Sequence, residues 1–157
     1  MAEPLEIEVG RRLKTLNATV ATAESCTGGL IAHLLTEVAG SSAYLMGGVV
    51  AYSNAVKERL LSVTPATLTE YGAVSEQTAR QMAIGARALF GVDYAVSVTG
   101  IAGPGGDTPS KPVGLTYVGV AWSGGAEVER HVWGGTRTEN KLASAHAALR
   151  LLLRVLG

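Results

Sequence analysis

The sequence predicts an α/β protein, a single three-layer α/β/α domain with a mixed sheet. Apolar residues at helical spacing alternate with short β-branched runs, the pattern of strands flanked by helices. Two late strands meet across a Gly-Gly pair, which makes at least one neighbouring pair antiparallel and so mixes the sheet. The 157 residues, 47% of them hydrophobic, suffice for one core and leave no room for a second full domain.

The elements follow in order. Leu5, Val9, Leu13 and Leu16 mark an amphipathic first helix whose other face carries Arg11, Arg12 and Lys14. Thr19 to Thr22 reads as a short strand, and Leu30, Leu34, Leu35 and Val38 give a helix over about 28 to 38. Gly40-Ser41-Ser42 breaks that pattern before Met46 to Tyr52, which reads as a buried strand. Ser53 or Asn54 can cap a short helix through Lys57 and Leu60, and Thr64-Pro65 opens another.

Ser75 caps a longer helix carrying Ala79, Met82, Ala83, Ala86 and Phe90 on one face and stopped by Gly91. The strand Tyr94 to Val98 runs into Gly100-Ile101-Ala102-Gly103-Pro104-Gly105-Gly106, a loop too rich in glycine and proline for regular structure. Gly114 to Trp122, apolar on both faces, suits a central strand; Glu127 to Trp133, alternating charged and apolar residues, suits an edge. These two are joined across Gly124-Gly125, and Leu142, Ala145, Leu149, Leu152 and Leu156 build the closing helix.

Composition narrows the function. Thirteen Lys plus Arg balance thirteen Asp plus Glu, so there is no net positive field to recruit nucleic acid. The N-terminus lacks the apolar stretch of a secretory signal, and no apolar run reaches the ~18 residues of a membrane span. A single cysteine, Cys26, fits a reducing compartment, and His33, His131 and His146 show no metal spacing. The expectation is a cytoplasmic protein with no metal, no nucleic-acid partner and no membrane partner. Formation of a symmetric homo-oligomer stays open.

The chemistry concentrates at Ala23-Glu24-Ser25-Cys26-Thr27-Gly28-Gly29, where a strand turns into a helix. The first amides of a helix lack intrahelical partners and carry the positive end of its dipole. Ser25 there reads either as a nucleophile, with amides of Thr27, Gly28 or Gly29 holding an oxyanion, or as a simple helix cap. Cys26 is a rival nucleophile, activated by the same dipole, or else a small buried thiol.

A serine needs a base, and no histidine is marked for the task. Lys57 can serve if burial or a positive field lowers its pKa from ~10.4; otherwise it is an ordinary solvated lysine. Tyr52 can orient that pair or simply sit at the rim of the core. Thr99, Gly100 and Gly103, at a strand's end and in the glycine-rich loop, form a candidate ligand cradle, although the loop fits neither the dinucleotide nor the P-loop pattern. Arg137, in Gly134-Gly135-Thr136-Arg137-Thr138, can grip a phosphate or stand solvated before a helix.

Together, AESCTGG, AYSNAVK (Ala51 to Lys57), YGAVSE (Tyr71 to Glu76), SVTGIAGPGG (Ser97 to Gly106) and KPVGLTYV (Lys111 to Val118) resemble the C-terminal domain of the competence/damage-inducible CinA proteins. The resemblance covers nearly the whole chain. It implies a stand-alone nicotinamide-nucleotide amidohydrolase: hydrolysis of the carboxamide of nicotinamide mononucleotide to nicotinate mononucleotide and ammonia, in pyridine-nucleotide salvage. It further implies a serine and lysine with a nearby tyrosine, no metal and no cofactor, and the matching positions are Ser25, Lys57 and Tyr52. Larger members carry an added N-terminal domain linked with pyrophosphatase activity, to which the resemblance does not extend. The alternative function is a noncatalytic nucleotide-binding or assembly module of the same fold.

Overall fold

A computed structural model describes residues 2–157. Its five strands are β1 (Val20–Glu24), β2 (Leu45–Val50), β3 (Tyr94–Gly100), β4 (Leu115–Trp122) and β5 (Gly125–Val132), in the spatial order β2-β1-β3-β4-β5. β1 pairs in parallel with β2 and β3, while β4 runs antiparallel to both of its neighbours, β3 and β5. The mixed sheet expected from the sequence is therefore present.

Six helices cover the sheet: α1 (Leu5–Leu16), α2 (Leu30–Thr36), α3 (Asn54–Leu61), α4 (Pro65–Tyr71), α5 (Glu76–Phe90) and α6 (Arg137–Leu156). Burial divides into two cores. On one face Val9, Leu13, Ile31, Leu35, Leu149 and Leu152, from α1, α2 and α6, pack against Val96, Val98, Val118 and Val120. On the other, Leu61, Met82 and Ala86, from α3 and α5, pack against Ala21, Ala23 and Ala95.

Strand alternation produces this division. Val96 and Val98 of β3 face the α6 side, while Ala95, Ser97 and Thr99 face α5, where the Ser97 hydroxyl donates to the Ala79 carbonyl at 2.7 Å. Small residues on the α5 face let that layer sit close. Gly85 marks the closest approach, since a Cβ there would fall 1.7 Å from the Leu61 carbonyl oxygen, so α3 and α5 touch backbone to helix.

Several boundaries differ from the sequence expectation. β2 is the outer strand beside β1, and Met46 and Val50 are exposed, so the expected buried strand is an edge whose apolar residues reach solvent. An apolar run has no built-in neighbour on its far side, and periodicity alone cannot say which strand ends the sheet. The β4–β5 turn is Ser123-Gly124, one residue earlier than expected, with Trp122 opposite Gly125. β5 is an edge as expected.

α6 starts well before Leu142. Thr136 caps it in a reciprocal capping box with Glu139, which makes Arg137 its first residue rather than part of a connecting loop. α2 starts at Leu30, two residues later than expected, and β1 extends to Glu24. The serine-bearing run is thus a true turn of its own between strand and helix.

Candidate active site

The site assembles at the carboxyl ends of the parallel strands, where open α/β sheets gather ligands. The Ser25 amide donates to the Val98 carbonyl at 3.0 Å, which carries the β1–β3 pairing one residue past β1. On the opposite side of β1, the Ala51 amide donates to the Glu24 carbonyl at 2.8 Å. Ser25 is therefore anchored by the sheet on both flanks, and Ala51 is fixed beside it.

Lys57 lies on α3, whose cap is Ser53, with the Ser53 hydroxyl accepting from the Val56 amide at 3.2 Å. That cap puts Lys57 at the fourth helical position and points its side chain back under the turn. Its Nζ lies 3.1 Å from Ser25 Oγ, 2.8 Å from the Ala51 carbonyl oxygen and 3.4 Å from the Tyr52 carbonyl oxygen. The residue is only 1% exposed. Burial pushes its ammonium below the ordinary lysine value, opposed by a smaller interaction with Cys26. Of the two causes weighed from the sequence, burial and a positive field, burial is the main one.

Three acceptors surround Nζ, and an ammonium donates to all of them. Burial favours loss of its proton, and the resulting amine donates to the two carbonyl oxygens and accepts from the Ser25 hydroxyl. The register of β1 with β2 sets this up, because the Ala51 amide is held by Glu24 while its carbonyl holds Lys57.

Cys26 adjoins the same cleft and is 7% exposed. Burial pushes its thiol up to about 11, with Lys57 and Lys141 pulling weakly the other way. A thiol in that state is a poor nucleophile near neutrality. Gly100 leaves room for it: a Cβ on Gly100 would lie 3.2 Å from the Cys26 sulfur and 2.7 Å from Thr116 Oγ1.

The α2 side of the turn departs from expectation. The Glu24 carboxylate, 1% exposed, accepts from the Ile31 amide at 2.8 Å, the Ala32 amide at 3.0 Å and the Thr27 hydroxyl at 2.6 Å. It fills the α2 N-terminus from within. The Gly28 amide donates to the Ser25 carbonyl at 3.1 Å. Thr27, Gly28 and Gly29 line a separate hollow with Lys141 and Leu142, and the Ser25 cleft does not include them. The physical reason is the buried carboxylate, which neutralises the dipole end that the sequence reading offered to a substrate.

The cleft that holds Ser25 has a volume of about 290 Å³. Lys57, Tyr52, Thr99, Gly100, Gly103 and Arg137 all line it. Tyr52 is 65% exposed, and its phenol accepts from Arg137 Nη2 at 3.4 Å, while only its main-chain carbonyl meets Lys57. Its hydroxyl thus stands at the mouth of the cleft. Arg137 Nη1 donates to the Gly103 carbonyl at 2.8 Å, so this guanidinium bridges the glycine-rich loop and Tyr52. The Thr99 hydroxyl donates to the Ala73 carbonyl at 2.7 Å and steadies the opposite wall.

Two supporting residues were missed from the sequence. Glu24 is the one charged residue of β1 and stands at its end, next to the serine, and that position was the available signal. Asn140, 2% exposed, donates to the Ala102 carbonyl at 3.0 Å and accepts from the Gly135 amide at 2.9 Å, clasping the loop to α6. Nothing in its local sequence separates it from a solvated helix residue.

Fold and site define a class: a three-layer α/β domain that buries a serine–lysine pair at the end of its first strand, under a glycine-rich loop. Within that class the chain belongs to the CinA C-terminal domain family, whose model matches residues 2–156. It is 49% identical to a CinA-like protein of Leptospira borgpetersenii over 92% of this chain and 35% of that protein. It is 47% identical to a putative competence-damage inducible protein of Moorella thermoacetica over 98% of this chain and 37% of the relative. The chain spans about a third of the length of these curated relatives.

Solved structures agree. The competence/damage inducible protein CihA of Agrobacterium tumefaciens superposes with a TM-score of 0.92 at 45% identity, covering 100% of this chain and 99% of that one. The competence damage-inducible protein A of Klebsiella pneumoniae gives 0.91 at 35% identity, covering 94% and 92%.

Proposed function

We propose that this chain is an amidohydrolase that converts nicotinamide mononucleotide to nicotinate mononucleotide and ammonia, with Ser25 as nucleophile and Lys57 as base. The observation that carries the reading is the buried Lys57 amine, 3.1 Å from Ser25 Oγ and held by two carbonyl oxygens. A binding module has no use for a desolvated amine aimed at a serine hydroxyl, and burying it is costly.

In the reaction, Lys57 takes the Ser25 proton as Oγ attacks the carboxamide carbon. The tetrahedral intermediate collapses with breakage of the C–N bond, and the Lys57 ammonium returns its proton to the departing nitrogen, which leaves as ammonia. Water then attacks the acyl-serine as Lys57 takes its proton, and the Lys57 ammonium returns that proton to Ser25 Oγ as the acyl C–O bond breaks, which releases the nicotinate carboxyl and regenerates the free hydroxyl and neutral amine. The pyridinium ring withdraws electrons from the amide carbonyl, which suits a hydroxyl nucleophile.

The oxyanion falls to backbone on the cleft side, along Cys26 and the Ala102 to Gly106 segment, because the α2 amides are taken by Glu24. Arg137 suits the substrate phosphate, with its guanidinium at the cleft mouth. Thr99, Gly100 and Gly103 shape the wall, and Tyr52 holds Arg137 rather than relaying a proton.

The test compares Ser25→Ala with Cys26→Ala, assaying ammonia from nicotinamide mononucleotide. The serine variant is expected to stay folded and lose at least about a thousandfold in kcat, while the cysteine variant stays within about threefold of the parent. The reverse pattern would transfer the reaction to the thiol, and no turnover by the parent chain would favour a binding module.

A further inference from the structure

A second cavity of about 420 Å³ opens beside the cleft, lined by Tyr71, Val74, Glu76, Lys111, Tyr117 and Arg130 among others. Its volume falls within the range of small-molecule sites, ~300–1,000 Å³. We infer that it is an accessory binding site for a planar aromatic group bearing a phosphate, such as a free purine mononucleotide. The inference does not depend on the amide chemistry of the serine cleft.

The charge of the cavity comes from the strand pattern. On β5, Glu127 and Glu129 point to the α6 face, where Arg154 binds both, at 3.2 and 2.6 Å. Arg130, on the opposite face, takes no carboxylate within 4 Å among the described residues. Lys111 has none either, and donates instead to the Tyr71 carbonyl. The one carboxylate lining the cavity, Glu76, is already bound by Arg80 at 3.0 Å. Two cations therefore remain for an anion, and each stands beside a tyrosine: Arg130 lies across the ladder from Tyr117, and Lys111 holds the Tyr71 main chain. Cation plus aromatic ring is the chemistry that accepts a phosphate and stacks a planar base.

The cavity is tied to the cleft through one rung of the sheet. Thr99, Tyr117 and Arg130 are direct register partners on β3, β4 and β5, and all face α5. With strands ~4.8 Å apart, Thr99 and Arg130 are separated by roughly 10 Å along that rung. The wall between the two spaces is the 71–75 segment. Its carbonyls are held at Tyr71 by Lys111, at Gly72 by Ser75 and Thr78, and at Ala73 by Thr99. Val74 lines both spaces.

Isothermal titration of the full chain with adenosine 5′-monophosphate tests the site. Saturable binding is expected, weakened about tenfold or more by Arg130→Gln or Lys111→Ala and unchanged by Arg137→Ala, with circular dichroism showing each variant folded. Adenosine and ribose 5-phosphate should each bind at least about tenfold more weakly than the nucleotide. Absence of saturable binding overturns the assignment, as does binding that is lost in Arg137→Ala but kept in Arg130→Gln, which would put the nucleotide in the serine cleft. Equal affinity for adenosine removes the phosphate from the proposal and overturns it too.

Discussion

On the cleft side of the turn after β1, Ser25 faces a buried amine; on the α2 side, Thr27 and the first free helix amides face a buried carboxylate. Both sides place an ionisable group in the protein interior, yet their consequences are opposite. Glu24 is satisfied by three donors and closes the α2 N-terminus, so that side is structural. Among the described residues Lys57 has carbonyl and hydroxyl partners and no carboxylate, and burial disfavours its charged form, which leaves a neutral amine to act as base. A helix start beside a nucleophile is thus an anion site only when its own chain leaves the amides free.

The largest effect that separates the two sides belongs to Lys57. Lys57→Ala is expected to lower kcat for ammonia release by about 10²–10⁴-fold, the range for loss of a general base, with KM little changed. A KM effect alone would make the lysine a binding group. Steady-state kinetics with thermal unfolding as a fold control reads this directly.

Glu24 should show the opposite profile, a stability effect first. Glu24→Ala strands two helix amides and a threonine hydroxyl in the interior, and is expected to cost about 2–4 kcal/mol in denaturant unfolding. Glu24→Gln keeps the shape and should recover part of that loss. If Glu24→Gln kept wild-type stability but lost turnover, the α2 side would have a chemical role. At the cleft mouth, Arg137→Ala is expected to raise KM about tenfold while leaving kcat within about threefold, since it removes the proposed phosphate contact and the tie to Gly103.

Much of this was legible in the sequence, for identifiable reasons. The closing apolar stripe of α6, the hairpin and the Ser75 cap follow from periodicity and capping chemistry that are local in the chain. The pairing of Ser25 with Lys57 was reachable because the motif left the serine without a histidine, which made a lysine base the remaining option. What escaped were effects fixed by strand order and by contacts distant in sequence. β2 reads as buried by composition, and only the order β2-β1-β3-β4-β5 makes it an edge.

The same holds within the site. Ser25 to Gly29 suggests helix amides aimed at substrate, but the competing acceptor is Glu24, whose side chain reaches Ile31 and Ala32 seven and eight positions later. Tyr52 was expected to serve the serine and lysine through its phenol; it meets Lys57 through its carbonyl and gives its phenol to Arg137, on a helix beyond the sheet. Side-chain direction at a chain reversal is set by tertiary packing, and residue type does not reveal it.

The central claim is that turnover uses a desolvated, neutral Lys57, and the pH dependence of kcat tests it most directly. Burial lowers the lysine pKa from 10.5, and the reaction needs the unprotonated amine, so activity is lost as pH falls below the lowered value and gained as it rises through it. The account predicts a rising limb with one apparent pKa below 10.5, levelling off above it while the protein stays folded. Activity that is flat across that range, or that falls as Lys57 loses its proton, would contradict it.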